Sequence, residues 1–431
     1  MSDFTIIFRS LTSRLFSTVT TVATVAVAVA LMLVLLTMRE AGKKAFERGS
    51  GDMHFLVSAD ASPLVSVLNG IFYANPPRRP LTWERYQQLQ RAFPWTYAIP
   101  TQLGDSYLGL PVMATSTEFF TRFQPNPGEP WSFASGRAFE KSFEVVVGSS
   151  AAASSGLNIG DVVYLTHGIA QSRQLGDASA NEALHVHRDF AYTIVGILAP
   201  TGGSHDRALF TDVASTWIIH AHDVRKKADP AITTTTEADL TDSDRKITGV
   251  YLKLIAPPGS SIPTNFQQVF DMLRRDSSIT VAQPGQEIAT LFKIVSNIDR
   301  LFIAVAAVVM LSSGISIMLA LYNSMEQRRR QIAVLRVLGA SRGRVFGLIA
   351  AESIIIGLVG ALAGTVLSIA GGFIAASALR DRLGLVIEPD LNPRSIVAVL
   401  LASIVLAALA GVIPALVAYR ASVSRGLRPL G

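Results

Sequence analysis

All seven histidines lie between positions 54 and 222: His54, His167, His185, His187, His205, His220 and His222. His185-x-His187 and His220-x-His222 each place two imidazoles on one face of an extended backbone. Asp206 follows His205, and Asp223 follows His222. Imidazole and carboxylate together suit Zn²⁺ or Cu²⁺, so His185, His187, His205, His220 and His222 are the candidate metal ligands, with heme contact as a related reading. The competing reading is a set of ordinary surface histidines, since the spacing H-E-x-x-H does not occur. Cysteine is absent, which excludes disulfides and thiol chemistry. Serine, histidine and aspartate are abundant enough to co-occur by chance, so no residue is assigned a catalytic role.

A second chemistry is carried by Ser324–Glu352, SMEQRRRQIAVLRVLGASRGRVFGLIAAE, where arginines lie between two long apolar runs. On a helical wheel Arg329 and Arg336 share a face, and Val334, Leu335 and Leu338 fill the opposite arc, as expected of a helix at a membrane surface. Gly339 suits a left-handed helix end, and Ser341 can cap the next helix, so an elbow is expected at 324–344. Arg328, Arg329, Arg330, Arg336, Gly339, Arg342 and Arg344 are its candidate contacts for a soluble partner. Simple charge anchoring at the membrane is the alternative.

These residues must be positioned by membrane helices. The chain is 49% hydrophobic and 16% charged, with a mean hydropathy of +0.38, which is too apolar for an ordinary soluble protein of 431 residues. Windows of about 20 residues almost free of charge fall at Phe16–Met38, Leu301–Asn323, Val345–Leu379 and Ser395–Tyr419. Arg9 and Arg14, the elbow arginines, and Arg420, Arg425 and Arg428 put both termini and the elbow on the cytosolic side of the cell's inner membrane. The first apolar run is too long for a cleaved signal peptide and reads as an anchor. The net charge of +6 sits mainly on these flanks, so nucleic acid is not an expected partner.

The expected fold is therefore membrane α-helical, with four transmembrane helices and a large α+β extracytoplasmic domain between helices 1 and 2. The divisions are 1–44, 45–295 and 296–431. Within the inserted domain, Glu144–Val147, Val162–Leu165, Phe190–Leu198 and Tyr251–Ile255 read as strands. Thr82 caps a helix running to about Phe93, Ser62–Tyr73 reads as a buried helix or packed subdomain junction, with a surface for the membrane or a partner as the alternative, and Thr233–Ser243 as a mobile loop. Gly360, Gly364, Ser368 and Gly372 form one small-residue stripe on the third span, either for packing within the chain or for a dimer seam. Glu352 on that span is expected to pair with an elbow arginine or to snorkel, and Pro414 to kink the fourth.

RRRQIAVLRVLGASRGRVFGLIAAES (328–353), EVVVGSSAAASSGLNIGDVVYL (144–165) and FAYTIVGILAPTGGSHDRALF (190–210) resemble segments of the FtsX-like or MacB-type permeases of ABC transporters. The resemblance implies a permease working with a separate ABC ATPase subunit and a second permease copy, identical or related. ATP is then bound only through the partner, in keeping with the absence of G-x-x-x-x-G-K-[ST]. Efflux or extraction of a substrate is the expected activity. The alternatives are an FtsX-like signalling scaffold that activates a periplasmic partner protein, and a metal- or heme-linked exporter.

Overall fold

The computed structural model describes residues 3–77, 79–167, 186–260, 263–383 and 392–420, without the side chains of 47, 296–299, 326–331 and 379–383. In chain order the elements are α1 (Asp3–Thr12), α2 (Leu15–Gly49), β1 (Phe55–Ser58), α3 (Pro63–Gly70), β2 (Leu81–Thr82), α4 (Trp83–Ala92), β3 (Trp95–Tyr107) and β4 (Leu110–Thr115). There follow α5 (Glu118–Thr121), β5 (Phe133–Gly136), β6 (Glu144–Val147), α6 (Ser149–Ser155), β7 (Val162–Val163), β8 (Thr166–His167), β9 (Tyr192–Leu198), β10 (Leu209–Asp212) and α7 (Val213–Ala228). The chain closes with β11 (Lys246–Ile247), β12 (Gly249–Leu254), α8 (Phe266–Arg274), β13 (Thr280–Ala282), α9 (Pro284–Val337), α10 (Arg342–Leu383) and α11 (Pro393–Arg420). Two compact units result, divided at Gly42/Lys43 and at Ile294/Val295.

Four helices of the first unit are long and apolar enough to cross a bilayer, over Leu15–Phe46, Arg300–Met325, Arg342–Ala378 and Pro393–Arg420. Small residues set how closely they pack. A β-carbon on Gly360 would lie 2.6 Å from Val25 Cβ, and one on Gly364 would lie 2.6 Å from the Ala26 carbonyl oxygen, so this edge of α10 lies against α2. Gly357 meets Ala407 of α11, and Gly411 of α11 meets Ser353, so α10 touches a helix on each side. Val25, Val29, Ile317, Leu321, Ile356 and Val399 fill the space between. Ser368 is buried with its hydroxyl on the Thr365 carbonyl, and Gly372 is buried. Pro414 sits inside α11. Glu352 accepts a 2.8 Å hydrogen bond from Ser10 on α1, a helix that the sequence reading did not anticipate.

The second unit is built on an 11-stranded mixed sheet, ordered β13-β1-β12-β3-β4-β10-β6-β9-β5, with β7 on β9 and β8 on β3. Both faces are covered, which explains the unbroken apolar runs. In β1, Phe55 and Val57 enter one core while Leu56 enters another. In β6, Val146 points to the same core as Leu56, whereas Val145 and Val147 point to the opposite face. The core on one face is aromatic: the Phe119 ring lies within 5.3 Å of those of Phe120, Phe123, Trp131 and Phe210.

Local signals act as the sequence predicts at several places. Thr82 accepts from the Arg85 amide at the start of α4, and Ser62 from the Val65 amide at the start of α3, a buried helix. The segment 233–243, expected to be a mobile loop, is tied instead by side-chain caps. Asp239 accepts from the Thr236 amide and hydroxyl, and Asp244 does the same for Thr241. Its many Thr and Asp residues thus satisfy the backbone locally rather than only solvating it.

Candidate functional site

The elbow begins where α9 ends at Val337. Gly339 takes φ +95°, a left-handed conformation that a side chain would strain, and the Ala340 amide reaches back to the Leu335 carbonyl. Ser341 then accepts from the Arg344 amide at 3.2 Å and starts α10. The base of the turn is an apolar cluster of Met325, Ile332, Val345, Ile349, Ala415 and Ala418. Val334 and Leu338 of the expected apolar arc stay off this cluster. Ile332 and Ala333 take the packed face, while Val334, Val337 and Leu338 are 45%, 64% and 78% exposed. These three recur at i, i+3 and i+4, so they form one apolar crest.

Basic groups flank that crest. Arg342 lies over the Tyr419 ring at 5.9 Å, and Arg344 donates to Asp3 of α1 at 3.1 Å. Arg336 is half-buried. The side chains of Arg328, Arg329 and Arg330 lie outside the described residues. Gly339-Ala340-Ser341-Arg342-Gly343 also has the spelling G-x-S-x-G of a hydrolase nucleophile elbow. Here it joins two helices rather than a strand and a helix, and the Ser341 oxygen serves as a cap.

The histidines are arranged differently from the sequence expectation. His220 and His222 lie on α7, so residues two apart point in different directions and not along one extended face. His222 is buried, with Nδ1 3.1 Å from the Thr235 hydroxyl and Nε2 3.6 Å from Asp189. His205 stands apart in the aromatic core, fully buried, sharing a 2.6 Å hydrogen bond with the Tyr73 hydroxyl. Burial pushes its pKa down to about 3, so it is neutral at physiological pH, and Met113, Phe119 and Trp131 surround the pair. His185 lies outside the described residues.

His220 instead meets two residues absent from the expected ligand set, Asp105 on β3 and His167 on β8. His167 Nδ1 is 3.1 Å and His220 Nε2 3.6 Å from Asp105 Oδ1. Asp105 is 4% exposed. Burial alone would raise its pKa, but its interactions with His167 and His220 outweigh that and hold it well below the usual carboxylate range. The hydrogen bond to Asp105 correspondingly raises His167. His187 sits alongside, its ring centroid 6.0 Å from that of His167 and its Nδ1 3.2 Å from Asp223. A β-bulge between Leu103 and Asp105, with Gly104 at φ +147°, turns Asp105 toward this cluster. The β3–β8 pairing joins residues about 60 apart in the chain, a juxtaposition no local spacing announces.

Comparison with known proteins places these features. Residues 18–264 match the MacB-like periplasmic core domain, and residues 303–423 match the FtsX-like permease C-terminal region. No curated protein matches the sequence. Among solved structures, the extracellular domain of the noncanonic ABC-type transporter YknZ from Gram-positive bacteria aligns over 53% of this chain and 98% of its own, at 8% identity and a TM-score of 0.26. That likeness is too slight to support an argument. The two family matches span the membrane helices and the inserted domain alike, and the chain belongs to the MacB/FtsX-like permease family of ABC-type transporters, which work with an ABC ATPase partner.

Proposed function

We propose that the chain is a permease subunit that couples ATP hydrolysis by a separate ATPase subunit to movement of the inserted domain, for efflux or extraction of a substrate. The observation that carries this reading is the elbow. Its apolar crest of Val334, Val337 and Leu338 is exposed on a turn fixed by Gly339 and Ser341, and arginines border it. An apolar centre with a charged rim is the anatomy of a protein contact.

Behind the elbow, α9 runs for 54 residues with no proline after its first position. It starts two residues after β13, a strand at the edge of the large sheet, so the segment leaving the sheet is the one that leads to the elbow. The positive-inside pattern supports an inner-membrane location with the elbow and both termini cytosolic. A second permease copy, identical or related, completes the proposed assembly.

The test is to co-express the chain with an ATP-binding subunit and measure ATP hydrolysis in reconstituted membranes. Stimulation by candidate cargo supports transport. Stimulation only by a soluble protein added on the side of the inserted domain supports the signalling scaffold instead. Absence of any associated ATPase contradicts both.

A further inference from the structure

We infer that Asp105, His167 and His220 form a binding site for one divalent transition-metal ion, with Zn²⁺ the best-matched cation. Their ligand atoms all lie within 4.8 Å of one another. Zinc bonds of about 2.0–2.1 Å in a tetrahedron place neighbouring ligand atoms about 3.3 Å apart. The separations of 3.1 and 3.6 Å from Asp105 Oδ1 to the two imidazole nitrogens bracket that edge length.

An ordinary Asp–His hydrogen bond accounts for His167 but not for His220. Nε2 of His220 is sealed from solvent, makes no hydrogen bond among the described residues, and stops 3.6 Å from a carboxylate oxygen. The two imidazoles approach edge to face, with centroids 4.9 Å apart and an interplanar angle of 83°, and one ring nitrogen of each lies within 4.8 Å of the other and of the carboxylate oxygen. One carboxylate and two neutral imidazoles are a borderline donor set that favours Zn²⁺ over Mg²⁺ or Ca²⁺.

Charges of both signs surround the site, Asp223 and Lys227 each acting on His167. Asp223 lies beside His187 at its margin, and Lys226 pairs with Asp189 rather than with Asp105. The fourth position falls to water. A bound ion would fasten β8 and α7 to β3, joining three elements that otherwise meet through side-chain packing and a two-residue ladder. Of the histidines singled out in the sequence, His220 is a ligand here and His187 a neighbour, whereas His205 and His222 take no part. This inference concerns the inserted domain alone and stands or falls independently of the ATPase reading.

The experiment uses the full chain, purified in detergent through a tag without histidine and stripped with a chelator. Zinc is titrated by equilibrium dialysis with elemental analysis, and Co²⁺ by its visible spectrum. The expected result is one ion per chain, a tetrahedral Co²⁺ spectrum and a zinc-induced rise in the unfolding midpoint. His220→Gln and Asp105→Asn should each weaken zinc by more than the roughly 10- to 100-fold typical of losing an outer-sphere partner. His220→Gln also guards against misfolding, because its unfolding midpoint in chelator can be compared with that of the parent. Failure of the parent to bind stoichiometric zinc overturns the site, as does equal zinc affinity in a folded His220→Gln.

Discussion

Replacing His205 with asparagine should flatten the acid side of the inserted domain's stability profile. His205 is fully buried, and desolvation lowers its pKa from 6.5 to about 3. A base whose folded pKa is depressed binds fewer protons folded than unfolded between those two values. Its contribution is therefore complete above pH 6.5 and is lost as pH falls toward 3. At about 1.4 kcal/mol per pH unit, the loss between pH 6.5 and pH 5 is about 2 kcal/mol. For an m-value of about 3 kcal/mol/M in urea, that is a midpoint drop of roughly 0.7 M.

The assay is built into the chain. All four tryptophans, Trp83, Trp95, Trp131 and Trp217, belong to the inserted domain, so intrinsic fluorescence follows its unfolding without a contribution from the membrane helices. Trp131 lies 5.8 Å from the His205 ring and reports on that core directly. His205→Asn keeps a group able to bond Tyr73 but loses ring contacts with Phe119 and Phe123, so it starts from a lower midpoint at pH 7.5. The readout is the parent-minus-variant difference in acid dependence, in which every other titrating group cancels. Equal midpoint drops in parent and variant between pH 7.5 and pH 5 would show that His205 is not held neutral by burial.

Gly364→Val should destabilise the helical unit by about 1–3 kcal/mol, because its first added carbon meets the Ala26 carbonyl oxygen and backbone cannot move aside as a side chain can; the thermal midpoint in detergent measures it, and an unchanged value would contradict the α2–α10 packing. Asp206→Ala should cost the inserted domain about 3 kcal/mol in urea unfolding. Its buried carboxylate accepts from the Thr201 amide and hydroxyl and the Gly202 amide, and these three part-buried donors would lose their acceptor together. Gly339→Val should weaken association with the ATPase subunit by straining the left-handed turn that holds the elbow crest in place, at about 1–3 kcal/mol, readable as loss of copurification.

What the sequence revealed and concealed follows from the range of the interactions involved. The β6 strand was legible because four β-branched or extended residues end at Gly148, and α4 because Thr82 supplies its cap and Pro94 follows it. The membrane helices and the Gly339–Ser341 elbow were legible for the same local reasons. By contrast β3 contains Pro100 and Gly104, which read as breakers; the structure uses Gly104 at a bulge and keeps the strand for 13 residues. The histidine arrangement was concealed by a wrong local assumption, that 220–222 is extended, and by a long-range pairing that brings His167 to Asp105. The membership of Val337 in the elbow crest was not legible, because a wheel gives the angular separation of residues but not which side the neighbouring helix covers.

The account rests most heavily on the elbow as the contact through which ATP hydrolysis is coupled, and ATPase activity of the copurified complex tests it most directly when parent is compared with Leu338→Glu. Leu338 is 78% exposed at the crest, so the substitution leaves the fold intact while placing a charge at the centre of the proposed contact. The predicted result is a stable permease that loses the ATPase subunit, with affinity lowered at least about 30-fold, corresponding to about 2 kcal/mol. Undiminished copurification and hydrolysis with Leu338→Glu would contradict the elbow as the coupling surface.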